Sequence, residues 1–175
     1  MKKLIFISLL FSILSLSVSA QKPTKAEKAA QLEQEFQQTR QLIESNHFQF
    51  ELNRVYPQDG QDLSRFNPRG KFVITDSVAK GTLPFFGRAY SLPYGEGGGI
   101  EFDGVMKDQS LKIEHKKKRK ILIYRFSITA KNDTYQISME ISGGGNCSEN
   151  LNSNNRAQIS YSGTVSPVKD ETGKS

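Results

Sequence analysis

The chain is poor in the residues that most often carry chemistry. Its 175 residues hold one Cys, two His and no Trp. The lone Cys147 excludes an intramolecular disulfide and a Cys-rich metal site. A Ser or Cys nucleophile needs a base, and only His47 and His115 are on offer. Zinc needs three or four clustered ligands, and neither H-x-x-x-H nor C-x-x-C occurs. Long apolar runs are scarce too. The single run, from Leu4 to Val18, follows Lys2 and Lys3 and precedes Val18-Ser19-Ala20. That order reads as a secretory signal peptide over residues 1–20, cleaved between Ala20 and Gln21. No later run reaches the roughly 20 apolar residues of a membrane-spanning helix. No Cys follows the leader's apolar run, so lipidation at a signal-peptide Cys is excluded. The expected destination is the bacterial periplasm or the exterior.

Cleavage leaves 155 of the 175 residues, enough for one domain with an ordinary core. It lowers the formal charge from +6 to +4. Five of the remaining bases stand together as Lys116, Lys117, Lys118, Arg119 and Lys120, after His115. Without them the mature charge is −1, so the positive excess is local. The run reads first as a solvated hairpin tip, where Lys discourages sheet-to-sheet pairing. Its functional reading is a patch for an anionic surface. Export argues against nucleic acid as a partner.

Residues 21–46 read as a helix that packs on a sheet. Thr24 and Glu27 form a T-x-x-E capping box. Ala29, Leu32, Phe36 and Ile43 fall on one face, and Ser45 and Asn46 end the helix. From His47 the period becomes two. Phe48, Phe50 and Leu52 alternate with polar residues. The cleanest alternation runs over 122–128, 135–141 and 157–161, the expected central ladder. Weaker strands are expected at 71–75, 77–83, 99–102, 111–115 and 147–151, with a turn at Lys107-Asp108. The result is an all-β, mainly antiparallel domain over 47–166 with one N-terminal helix and a polar tail over 167–175. One helix cannot cover eight or nine half-apolar strands. The sheet must therefore curl into a barrel-like or lipocalin-like up-and-down meander, or fold into a sandwich.

Glycine-rich stretches at 95–99 and 143–145 lack the G-x-x-x-x-G-K-[ST] pattern and read as hairpin loops. Glu149 and Asp108 are assigned to loops. Fifteen of the 17 Phe and Tyr lie after residue 20. Phe85, Phe86, Tyr90 and Tyr94 cluster around Arg88, between Pro84, Gly87 and Pro93, and are candidates for a pocket or rim.

Three stretches carry a resemblance. They are Leu83-Pro84-Phe85-Phe86-Gly87-Arg88-Ala89-Tyr90; Pro93-Tyr94-Gly95 with Gly99-Ile100-Glu101-Phe102-Asp103-Gly104; and Asn152-Ser153-Asn154-Asn155-Arg156 with Ile159-Ser160-Tyr161-Ser162-Gly163. In this order, after a helix and a Phe-x-Phe strand, they resemble domain of unknown function 4251, a family of small exported bacterial proteins. The resemblance implies no activity, cofactor or catalytic pattern. Cys147 lies outside it and reads as a bystander. Gly87, Gly95, Gly104 and Gly163 suit turns or bulges. Arg88 and Arg156 suit pinning of loop carbonyls or a ring.

The leading expectation is an envelope protein without catalysis, metal or cofactor. It would bind a small hydrophobic or glycan ligand in or at the mouth of the barrel through Phe85, Phe86, Arg88, Tyr90, Tyr94, Arg156 and Tyr161. An adaptor for another envelope protein, using the aromatic-Arg segment or the Lys run, is the second reading. A two-carboxylate hydrolase is the third.

Overall fold

The computed structural model describes residues 24–91, 98–116, 119–130 and 133–169. The leader with Ala20 and Gln21, Tyr94, Lys117, Lys118 and residues 170–175 lie outside them.

Helix α1 spans Lys25–Glu44. Its capping box forms as the sequence requires. The Thr24 amide donates to Glu27 Oε2 at 2.7 Å, and the Glu27 amide to Thr24 Oγ1 at 3.2 Å. Asn46 ends the helix region with φ +48°, a conformation Asn tolerates. The buried stripe is shorter than the sequence pattern. Phe36, Thr39 and Ile43 are buried, whereas Ala29 is exposed and Leu32 is 63% exposed.

Eight strands follow: β1 (His47–Pro57), β2 (Lys71–Thr75), β3 (Val78–Leu83), β4 (Ile100–Lys116), β5 (Arg119–Thr129), β6 (Thr134–Ser142), β7 (Asn146–Ser153) and β8 (Ile159–Pro167). Each pairs antiparallel with the next. β1 also pairs antiparallel with β8, from Phe48↔Pro167 to Pro57↔Ile159. The sheet is thus a closed up-and-down barrel rather than a sandwich. Closure removes both sheet edges, which answers the exposure problem of a long meander.

Two sequence expectations need correction. The expected strands 99–102 and 111–115 are one strand, β4. Asp108 makes a bulge, not a turn: its φ is +53° and the β4–β5 register shifts between Lys107 and Ser110. Ser127 Oγ donates to its Oδ2 at 2.9 Å, which holds the bulge in place. The expected central ladder is also interrupted. β5 and β6 are neighbours, but β7 lies between β6 and β8, and β8 begins at Ile159.

The interior is aromatic. Phe50 and Phe72 stack at 5.1 Å, Phe72 meets Phe102 at 5.8 Å, and Phe102 meets Tyr135 at 6.1 Å. Phe72 also reaches Phe126 at 6.4 Å, from β2 to β5. Rings therefore bridge opposite walls, as the bore of an eight-stranded barrel allows. Gly163 sits in β8, not in a turn but opposite the β1–β8 register shift between Leu52 and Arg54. A Cβ there would collide with the Glu51 carbonyl and lie 2.7 Å from the Phe50 ring. Its missing side chain is what admits that ring.

Residues 32–44 of α1 lie across one barrel end. There the backbone of Phe36 passes close over Gly143, where a Cβ would come within 3.2 Å of the Phe36 amide nitrogen. The opposite end gathers residues 58–70, 84–91, 98–99, 130, 133 and 154–158.

Candidate functional site

That second end, the mouth, brings together most of the residues singled out in the sequence. The segment 84–91 folds back along the β7–β8 loop. Ala89 and Arg156 form an antiparallel bridge. The Tyr90 amide donates to the Asn155 carbonyl at 2.8 Å, and the Ala157 amide to the Arg88 carbonyl at 2.9 Å. Phe85 and Phe86 are half-buried against the core, while Arg88 is exposed and Tyr90 is 63% exposed.

Two strand-borne side chains hold this segment. Tyr161 is fully buried on β8, and its hydroxyl donates to the Pro84 carbonyl at 2.8 Å. Arg156 is buried as well. Its guanidinium lies 5.2 Å from the centre of the Phe85 ring, and Nη1 donates to the Gly98 carbonyl at 3.3 Å. Its Nε stands 3.9 Å from Asp133 Oδ2, and both side chains are nearly inaccessible. Asp133 is fixed in turn, because Ser153 Oγ donates to Oδ2 and the Thr134 amide to Oδ1. Arg156 thus pins a loop carbonyl and a ring, the ring being a Phe. A single planar cation coordinates three loops, a task that suits the guanidinium fork.

Beside the segment lies a depression of about 470 Å³, lined by Gln58, Asp59, Arg88 and Tyr90 among others. A larger groove of about 910 Å³ runs on the outer wall of β1 to β4. It mixes Arg69, Lys71 and Lys80 with Glu51, Glu101 and Asp103 over Leu52 and Phe102. Lys80 and Asp103 form an ion pair at 2.6 Å within it.

The sequence reading misplaces Glu149. It is not in a loop. It lies on β7 and is fully buried. Neither carboxyl oxygen has a hydrogen-bond partner. Burial pushes its pKa up to about 8. The same desolvation raises the Tyr161 phenol and the Cys147 thiol, with Glu149 adding to both. A thiol held protonated in the barrel wall is a poor nucleophile. The signal for Glu149 was available: Cys147, Glu149 and Leu151 share one face, and the other two are apolar.

Of the basic run, Lys116, Arg119 and Lys120 lie at the α1 end, apart from the mouth. Lys116 Nζ meets Glu140 Oε2 at 2.6 Å. Lys120 Nζ meets Glu33 Oε2 at 2.8 Å and lies 5.6 Å from the Phe36 ring centre. Arg119 is exposed. Both histidines sit at that end too, at the start of β1 and near the end of β4. Among the described residues, no group of three or more Cys, His, Asp or Glu is placed to hold a metal. No helix among them is long and apolar enough to cross a membrane.

No curated protein matches the chain. A crystal structure of a DUF4251 family protein from Bacteroides eggerthii DSM 20697 is similar in fold, with 22% sequence identity and a TM-score of 0.55. The match covers 79% of this chain and 91% of that one. Residues 30–165 match the family described as Domain of unknown function (DUF4251), a span that takes in α1 from its second turn, all seven first strands and most of β8. The chain belongs to the DUF4251 family.

Proposed function

We propose that this is an exported, non-catalytic binding protein of the bacterial envelope, and that its ligand is a glycan held at the rim of the mouth. The observation that carries this reading is the depression of about 470 Å³ beside the pinned segment. Tyr90 offers an exposed ring face, and Arg88, Gln58 and Asp59 offer donors and acceptors beside it. A sugar presents apolar C–H faces and hydroxyls together, so this mixture suits it better than it suits an alkyl chain. The rings that bridge the bore argue for the rim over the interior as the place for a ligand of that size. The remoteness of both histidines and the protonated state of Cys147 support a role without catalysis.

Binding to an immobilised glycan array tests the reading. Wild-type mature protein should retain a defined subset of glycans, and Tyr90→Ala with Arg88→Gln should weaken retention about tenfold or more, equivalent to roughly 1.4 kcal/mol. Retention unchanged in the double variant would place recognition elsewhere. The adaptor reading has one observation in its favour: exposed Tyr and Arg are the residue types that anchor protein interfaces. Crosslinking from position 90 to an envelope protein, with no glycan retained, would favour it. Export rests on residues 1–20. Intact-mass analysis of envelope fractions should show a mature chain starting at Gln21, and recovery of only the full-length precursor in the cytosol would contradict it.

A further inference from the structure

β4 outruns its neighbour. Closure pairs the first strand with the last, but it leaves one stretch inside the sheet with a bare edge. β4 holds 17 residues and β3 only six. β3 pairs with β4 from Ile100 to Val105, and the Met106 amide donates to the Ser77 carbonyl at 2.7 Å. Beyond that point β4 pairs with β5 alone, as far as Lys116↔Arg119. Among the described residues, no backbone hydrogen bond reaches residues 107–116 from the side that β3 vacates. Residues 107–109 and 112–116 are exposed, and Ser110 and Leu111 are half-buried. β5 has no such edge, because β6 pairs with it from Ile121 to Thr129. A strand paired on one side turns alternate N–H and C=O groups outward, so this stretch presents a row of free donors and acceptors.

Its side chains complement themselves. Leu111, Ile113 and His115 share one face, opposite Tyr124, Leu122 and Lys120 of β5. Lys112, Glu114 and Lys116 share the other. Ile113 is 41% exposed, so the apolar face is not sealed by the rest of the fold. Lys116 is paired with Glu140, whereas Lys112 and Glu114 have no ion pair among the described residues.

We propose that this edge of β4 is a dimerisation surface, on which a second copy of the chain adds its own β4 antiparallel about a two-fold axis through Ile113. In that register Ile113 meets Ile113 of the second copy, Leu111 meets its His115 and Lys112 meets its Glu114. The two-fold repeats each unlike contact, so two cross-strand pairs of opposite charge form. Lys116 falls opposite Ser110 and meets no like charge. Moving the axis by one residue would set Lys112 against Lys112, or Glu114 against Glu114. The charges therefore select the register. They also select the partner, since an unrelated extended peptide could use the backbone groups but would not match Lys112 and Glu114 together. Residues 110–116 span roughly 24 Å and would add about six to eight backbone hydrogen bonds. The edge lies toward the α1 end, so this surface is separate from the mouth and stands whether or not the rim binds a glycan.

The test is sedimentation equilibrium of the mature protein with charge reversals at these exposed positions, which should leave the fold intact. The wild type should form a reversible dimer. Lys112→Glu alone and Glu114→Lys alone each set like charges opposite, and each should weaken the dimer about tenfold or more, equivalent to roughly 1.4 kcal/mol. The two single variants mixed should associate as tightly as the wild type, and so should the chain that carries both changes, because every charge again meets its opposite. Ile113→Cys, on the axis, should give a disulfide-linked dimer under mild oxidation, and Leu111→Cys should not, since its two copies stand four residues apart. The native Cys147 is buried and takes no part. A wild type that stays monomeric up to about 1 mM would overturn the proposal. So would dimers indifferent to the single reversals, single variants that fail to associate when mixed, no crosslink from Ile113→Cys, or a monomer that takes up an unrelated extended peptide along β4 instead.

Discussion

The two ends of the barrel are closed by different physics. At the α1 end closure is apolar. Phe36 and Ile43 are buried in the core, Gly143 lets the helix backbone approach, and the ion pairs of Lys116 and Lys120 lie outside on partly exposed side chains. At the mouth closure is polar and directional. Tyr161 and Arg156 hold a segment by its carbonyls, and a buried Asp133 balances the guanidinium. Apolar closure gains stability from area alone and tolerates small shifts. Polar closure depends on each bond being made and loses heavily when one is not. The α1 end is thus built to stay shut. The mouth leaves the buried Arg156 Nε without a hydrogen-bond partner, so its closure is the more easily disturbed.

Breaking either closure separates the two kinds. Phe36→Ala should destabilise by about 3–5 kcal/mol in denaturant unfolding, because a buried ring leaves a cavity against β6 and β7. The glycan retention proposed for the mouth should persist in that variant under native conditions. Arg156→Met should cost about 3 kcal/mol or more, because it strands Asp133 as a buried charge. Unlike Phe36→Ala, it should also release the 84–91 segment, seen as faster amide exchange at Tyr90 and Ala157. Equal exchange in the two variants would remove the distinction between the ends. Gly143→Ala should cost about 1–3 kcal/mol, since the new Cβ must push against the Phe36 backbone. The smallest effect is expected from Lys116→Gln with Lys120→Gln. These exposed pairs should leave stability nearly unchanged. Retention of the wild type on heparin should be weak and should vanish by physiological salt, where screening acts over about 8 Å. Salt-resistant retention would make the basic run a site in its own right.

Much of the barrel was legible in the sequence because each strand exposes one wet face. Period-two alternation marked β1, β5, β6 and most of β8, and a single amphipathic helix could not have covered a flat sheet of that size. The α1 stripe was overread. Leu32 has the right spacing but lies a turn before the point where the helix meets the core. The Asp108 bulge was read as a turn because Lys-Asp looks alike in both. Only the uninterrupted ladder on either side decides between them. The candidate site was half legible. The aromatic-Arg segment announced itself by composition, and its residues do meet at the mouth. Asp133 could not be paired with Arg156 from sequence, since a contact between two loops leaves no periodic trace. Glu149 was hidden by its neighbours. The short strand expected over 147–151 is found within β7, but Glu149 was assigned to a loop, and the inward face it shares with Cys147 and Leu151 went unread among Ser148, Asn150 and Asn152.

The barrel interior holds, midway along β7, an acid the fold does not satisfy. The most direct test of this is the pH dependence of unfolding free energy, wild type against Glu149→Gln. The folded state holds the Glu149 proton up to about pH 8, whereas an ordinary Glu releases it near 4.5. The contribution is therefore fully present below about pH 4.5 and is lost as pH rises toward 8, after which it stays flat. The interval corresponds to at most about 5 kcal/mol. Wild-type stability should fall relative to Glu149→Gln by several kcal/mol between pH 5 and pH 8. Parallel curves for the two proteins across that range would contradict the account.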